Sequence, residues 1–166
     1  MTRRVALFFL ALSSLYGQSP FPGFEAEALS GRKLTVPAAF QGHQTLLIAG
    51  FTHGSGPHCT DWAKRLETEF KANAALDRYT VIFLEDAPRL VRGMAKSGIK
   101  AGVPKEDYDH YLIVTEHEKE TKTAVKFQTP DDAYLVLLGT DGTIRWTFHG
   151  PTPDDASLRQ LHDQVK

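Results

Sequence analysis

Three short, almost wholly apolar runs constrain this chain most: residues 45–51 (TLLIAGF), 79–84 (YTVIFL) and 133–138 (AYLVLL). Runs without polar alternation are predicted to be strands buried on both faces, as in the middle of a sheet covered by helices. The segments between them supply the cover. Trp62, Leu66 and Phe70 recur every fourth residue behind Thr60 and Asp61, which suit a helix start. Residues 87–96 are predicted to be helical, closed by Ser97-Gly98. Residues 153–165 form a last helix with Leu158, Leu161 and Val165 on one face.

The remainder fits around these elements. Residues 24–29 alternate apolar and polar, Ser30-Gly31-Arg32-Lys33 supplies a turn, and residues 34–36 continue the pattern, so an opening hairpin is expected. Residues 52–58 are small and polar, a loop ahead of the first helix. Gly102 and Pro104 predict a loop over 100–108, and 111–114 fits a short strand or the end of a helix. The stretch 116–126 (EHEKETKTAVK) carries both charge signs and is expected to be a solvated surface excursion. Asp141-Gly142 is a hairpin turn signal, and residues 143–148 (TIRWTF) read as the strand it returns. Strands separated by helices imply right-handed parallel crossovers, and the late hairpin adds antiparallel strands. The fold class is therefore α/β, a mixed sheet with helices on both faces. A chain of 166 residues suffices for one such core.

The N-terminus is expected to lie outside that domain. Thr2-Arg3-Arg4 is a short basic region, and residues 5–16 (VALFFLALSSLY) are mostly apolar but too short to span a bilayer as a helix. With Ser13, Ser14, Gly17 and Ser19 supplying small residues behind it, residues 1–17 are read as a signal peptide; an uncleaved N-terminal anchor is the alternative. The domain is then 18–166, with 17 basic against 20 acidic residues once Arg3 and Arg4 are removed. Export to the periplasm or the extracellular space is expected. Membrane association is expected only if the N-terminus stays uncleaved.

Composition excludes several function classes. One cysteine in the chain rules out an intrachain disulfide, a CxxC pair and a multi-cysteine zinc site. No Lys/Arg-rich run forms a nucleic-acid patch. Gly50, Gly54 and Gly56 lack the Lys-Ser/Thr ending of a phosphate loop and the spacing of a dinucleotide fingerprint. Ser55 does not sit in G-x-S-x-G, and Glu106, Asp107 and Asp109 beside His110 read as a solvated face. No cofactor and no metal are predicted.

Two blocks carry a resemblance. The opening FEAEALSGRKLTVPAAFQGHQTLLIAGF resembles periplasmic thioredoxin-fold and peroxiredoxin proteins, in which a short hairpin precedes the core strand and the reactive site follows it. The block DDAYLVLLGTDGTIRWTFHG resembles their strand, Asp-Gly turn and strand. Its Ile144-Arg145-Trp146 and Gly150, with the upstream VPKEDYDHYLIV, are similar to the mitochondrial ATP synthase assembly-factor family. That resemblance implies a thioredoxin-like fold and, as partner, the proton-channel subunit of a membrane complex. The predicted export sets the chain apart from that family's location.

The working residues of the enzymatic families are not matched. Eight residues on from Phe51, Gly56-Pro57-His58-Cys59 occupies the place of the thioredoxin CxxC, with Cys59 in the second-cysteine position and Gly56 in the nucleophile's. A peroxiredoxin site wants Pro seven residues before its cysteine and Thr or Ser three before, where this chain has Thr52 and Gly56. The proline that usually precedes the hairpin strand in thioredoxins has moved: Ala133 stands nearest its place, with Pro130 three residues earlier. Cys59 is the candidate catalytic residue. A position at a helix N-terminus would favour its thiolate, with His58 as a modulator by charge or proton relay, and Asp61 would oppose it. A buried, inert cysteine is the alternative. His53, His58, Cys59 and a more distant His149 form a nominal soft-metal set, against which stand histidines scattered over a soluble surface. Gly56, Pro57, Arg145 and Trp146 are candidate binding residues, Trp146 being expected in the core and Arg145 at the surface.

Two functions follow. One is a non-catalytic binding or assembly module that holds a protein partner on its loop surface. The other is a single-cysteine thiol redox protein, reducing peroxides or exchanging mixed disulfides through Cys59.

Overall fold

The computed structural model describes residues 19–165. The signal-peptide assignment over residues 1–17 and the domain boundary at 18 lie outside the described residues. The elements run β1 (Phe24–Ala28), β2 (Lys33–Val36), a 3-10 turn, β3 (Gln44–Gly50), α1 (Ser55–Glu69), β4 (Leu76–Phe83), α2 (Arg89–Gly102), a second 3-10 turn (Lys105–His110), β5 (Tyr111–Val114), α3 (Glu118–Ala124), β6 (Ala133–Leu138), β7 (Ile144–Gly150) and α4 (Asp155–Gln164).

The seven strands form one mixed sheet in the order β2-β1-β5-β4-β3-β6-β7. The two crossovers through α1 and α2 make β3, β4 and β5 parallel, with Leu47 opposite Tyr79 and Val81 opposite Leu112. The other pairs are antiparallel, including β3 with β6 and β6 with β7. The three apolar runs are the central strands β3, β4 and β6. β6 is buried along its whole length, as continuous apolarity requires of a strand covered on both faces. Alternate residues feed two cores. Leu47, Ala49, Phe51, Val81, Phe83, Tyr134 and Val136 face one, with Phe24, Phe40 and Val125. Leu46, Ile48, Leu135 and Leu137 face the other, where Cys59, Trp62 and Leu66 of α1 meet Leu158 and Leu161 of α4. Helices thus cover both faces, as expected from the sequence.

Four stretches differ most from the sequence expectation. α1 begins at Ser55, five residues ahead of the predicted start at Thr60. Pro57 falls in its first turn, where a missing N–H costs nothing. α2 runs through Ser97-Gly98 to Gly102 and stops ahead of Val103-Pro104, because small exposed residues lower helix propensity without ending the helix and a following proline does end it. Residues 105–110, expected as loop, form the second 3-10 turn.

The charged stretch 116–126 is the fourth. It is not a solvated excursion: it folds into α3, with Glu118, Thr121 and Val125 buried at intervals of three and four. Lys122 Nζ stands 2.6 Å from Glu118 Oε1 and 3.1 Å from Asp86 Oδ2. The contact with Glu118 is a charge pair without an aligned hydrogen bond, and neither buried carboxylate oxygen of Glu118 has a hydrogen-bond partner among the described residues.

Candidate functional site

Parallel crossovers place loops at the carboxyl ends of the central strands, and the candidate site lies there. β3 ends at Gly50, Phe51 follows, and residues 52–54 turn the chain into α1. The turn is tied by reciprocal hydrogen bonds. Ser55 N donates to Thr52 Oγ1 (3.1 Å), Ser55 Oγ donates to the Thr52 carbonyl (2.7 Å), and Thr52 N donates to Ser55 Oγ (3.3 Å). Thr52 Oγ1 in turn donates to Asp131 Oδ1 at 2.6 Å, tying this loop to the one that leads into β6.

Cys59 is buried, at 1% exposure, beneath the carboxyl end of β3. It is the fifth residue of α1, so its N–H falls inside the hydrogen-bonded ladder and not among the free donors at the helix start. The expected dipole stabilisation of a thiolate is therefore weak at this position. Burial pushes the thiol up to about 12, against a smaller downward pull from the Ser55 hydroxyl. A thiol held there is protonated and non-nucleophilic across the physiological range.

The other sequence candidates fall in separate places. Gly56 lies in the first turn of α1, where an added Cβ would meet only open space, and Pro57 beside it is exposed. His58 is half-buried and donates from Nδ1 to the Asp131 carbonyl at 2.6 Å. Arg145 is exposed and pairs with Asp141 Oδ2 at 2.9 Å, bracing the turn before β7. Trp146 is partly buried and stacks on Phe148, which meets Trp62 edge-on. Arg145 and Trp146 thus take opposite sides of β7, as their alternation implies. Trp146 pairs with Leu137, at the end of the β6–β7 ladder away from the one where Ala133 meets Gly150 beside the site loops. The structure brings Gly56, Pro57 and His58 together and leaves Arg145 and Trp146 apart from them.

The nominal soft-metal set does not assemble. His53 is exposed, and His149 stacks on Tyr134 with ring centroids 5.0 Å apart, on the sheet face opposite Cys59. Its Nδ1 lies 2.7 Å from Asp132 Oδ2. Among the described residues no three His, Cys, Asp or Glu side chains group as metal ligands. Pro130, ahead of β6, has a trans peptide bond; the cis bond among the described residues is Val36–Pro37.

Several residues of the site escape the sequence reading. Gly50 is one: a Cβ there would lie 2.8 Å from Ser55 Oγ and 3.0 Å from Cys59 Sγ. Ser55, fully buried, is another, and the Asp131-Asp132 loop completes the set. Thr52 and Ser55 carry a signal, two hydroxyl residues after a strand that suit a turn tied by side-chain hydrogen bonds to the backbone. Nothing local points to Asp131, whose partners Thr52 and His58 are more than 70 residues away.

No protein-family model matches the chain, and no curated protein matches it in sequence. Solved structures do match in shape. The exposed lipoprotein thioredoxin Etrx1 of Streptococcus pneumoniae superposes with a TM-score of 0.62 at 14% identity, covering 86% of this chain and 99% of that one. The thioredoxin domain of a thiol-disulfide oxidoreductase from Bacteroides vulgatus gives 0.61 at 14% identity, covering 90% and 97%. BsSco, a member of the Sco family of cytochrome c oxidase assembly proteins in which a disulfide switch was identified, gives 0.56 at 13% identity, covering 87% and 90%. At these identities the likeness establishes the fold: a thioredoxin-like α/β domain with one buried cysteine, similar in structure to thiol-disulfide oxidoreductases.

Proposed function

We propose that this chain is an exported thioredoxin-fold module that binds a protein partner and runs no dithiol cycle. The observation that carries this is the state of its one thiol. Cys59 is 1% exposed and pushed up to about 12, and the chain holds no second cysteine for exchange. The open turn around Gly56 and Pro57 is the surface offered to the partner, a subunit of a membrane complex. BsSco, which belongs to a family of assembly proteins, supports this use of the fold by analogy only. The ATP synthase assembly factors would make that subunit the proton channel. This finer assignment rests on the short motifs of the C-terminal half. An exposed lipoprotein among the structural neighbours, together with the apolar residues 5–16, supports export.

The likeness to thiol-disulfide oxidoreductases favours a second reading, a single-cysteine thiol redox protein that exchanges mixed disulfides or reduces peroxides through Cys59. In the peroxide reaction the Cys59 thiolate takes one oxygen from a peroxide, leaving a sulfenic acid and releasing water or an alcohol. Two equivalents of an external thiol then return it through a mixed disulfide.

One experiment separates the two: the rate of Cys59 alkylation against pH, repeated after peroxide and read by mass spectrometry. The binding module predicts slow labelling with no inflection below pH ~10 and no sulfenic acid. An inflection near ~8.5 with peroxide-dependent oxidation would establish the thiol redox protein. Capture of a membrane-complex subunit by the wild type, lost on Gly56→Arg, is the expected partner result.

A further inference from the structure

The three large apolar side chains that stand exposed among the described residues are Leu90 (92%), Met94 (76%) and Val91 (46%), all in the first two turns of α2. A helix crossing over a sheet normally turns its apolar stripe inward. α2 does the reverse. Its half-buried residues Arg92, Ala95, Lys96 and Ile99, spaced by three and four, face the sheet, and the face bearing Leu90, Met94 and Ala101 looks outward. No residue of α2 is buried.

Polar contacts hold the helix in this attitude. Lys96 Nζ reaches Glu27 Oε1 of β1 at 2.7 Å, and Arg92 donates to the carbonyls of Ala87 (2.9 Å) and Glu85 (2.7 Å). Beneath it lies an open cavity of about 470 Å³, lined in part by Glu25, Glu27, Arg92 and Lys96. The inner side of α2 thus combines the charged Arg92 and Lys96 with the apolar Ala95 and Ile99.

The charge of the segment names what the outer face meets. Residues 89–102 contain no acidic residue and four basic ones, of which Arg92 and Lys96 face the sheet and Arg89 and Lys100 stand on the exposed side. The acidic residues just before the helix are engaged elsewhere: Asp86 pairs with Lys122, and Glu85 accepts from Glu118 N. An outward apolar stripe on a helix whose charges are all basic matches an anionic lipid surface, where apolar side chains enter the headgroup boundary and cations meet lipid phosphates. Arg89 and Lys100 can reach past the stripe on their long stems. We propose that α2 is a peripheral membrane-docking helix that seats this domain on an anionic bilayer through Leu90, Val91 and Met94. This contact is separate from the N-terminal segment and does not depend on Cys59.

The test is flotation of the full chain with vesicles of phosphatidylcholine alone and of an equimolar mixture with phosphatidylglycerol. The expected result is recovery with the anionic vesicles, weakened by salt, and a roughly tenfold or greater loss of affinity for Leu90→Glu/Met94→Glu. Both side chains are solvent-exposed, so this variant should keep the wild-type circular dichroism and melting temperature. The N-terminal segment is unaltered in it, so equal binding of variant and wild type would overturn the proposal. So would equal recovery on neutral and anionic vesicles. A double substitution that changes the oligomeric state and leaves vesicle binding untouched would overturn it too, assigning the face to a second copy of the chain.

Discussion

Ser55 and Cys59 stand one turn apart on α1 with both side-chain ends crowded against Gly50 of β3, where a Cβ would lie 2.8 Å from the hydroxyl and 3.0 Å from the sulfur. The glycine lets the first helix lie close to the end of the central strand, and that closeness buries the thiol. Gly50→Ala is expected to destabilise the fold by about 1–3 kcal/mol, as overpacking of a filled core does. Adding Cys59→Ala removes the sulfur from the crowded spot and should recover part of the loss. A urea-denaturation cycle over the two positions should show coupling above about 0.5 kcal/mol, and strict additivity would mean the strain is relieved elsewhere.

The nucleophile's place is vacant but geometrically sound. A Cβ on Gly56 meets nothing within 4 Å, and Gly56 lies three residues before Cys59 on the same helix. Positions three apart on a helix fall within the span a disulfide can bridge. Gly56→Cys is therefore expected to form an intrachain disulfide under oxidation and to gain disulfide-reductase activity in a turbidity assay, where the wild type has none. A variant that folds but leaves both thiols free after oxidation would show that Cys59 does not occupy the second-cysteine position.

Lys122 neutralises a buried carboxylate. The Glu118 side chain is 3% exposed, and the ammonium beside it is pulled down by burial and raised further by Glu118 and Asp86, for a net upward displacement. Removing the cation strands the carboxylate, so Lys122→Met is expected to cost about 3–5 kcal/mol. Replacing both, Glu118→Gln with Lys122→Met, should restore most of it. Equal losses in the single and double variants would show that the cost is the lost contact of the Lys122 ammonium with the Phe51 and Phe127 rings.

The sequence carried the layer order because the apolar runs of β3, β4 and β6 can be satisfied only in the middle of a covered sheet. It carried the address of Cys59 because the first loop after β3 is short and countable. It left the thiol open between a reactive and a buried position, since burial of Cys59 depends on where α1 begins, and Gly54, Gly56 and Pro57 hid that start. It also missed α3, whose helix depends on Glu118 and Lys122 pairing beside Phe51 and Phe127, residues from other parts of the fold. α2 was legible as a helix, but its orientation was not. Periodicity defines a stripe without saying which side the sheet is on, and the partner that Lys96 meets there, Glu27 of β1, is distant in the chain.

The last prediction joins the buried thiol to stability. Burial disfavours the Cys59 thiolate and pushes the thiol from the ordinary cysteine range up to about 12 in the folded chain. The folded-state pKa is the higher one, so the contribution is complete below pH 9 and is lost as pH rises toward 12, while the unfolded chain releases the proton and the folded chain keeps it. Across that interval a single group changes the unfolding free energy by about 1.4 kcal/mol per pH unit. Tyr111, raised first by burial and in lesser part by the Cys59 charge, and Lys122 add alkaline losses of the same sign, that of Lys122 being common to wild type and variant. Cys59→Ala should therefore be less stable than wild type at pH 7, having lost a buried sulfur. Its stability should also fall less steeply between pH 9 and 11, by about 1.4 kcal/mol per unit. Urea midpoints at half-unit steps of pH measure both, and parallel alkaline limbs would mean that Cys59 ionises in the folded protein as readily as in the unfolded one.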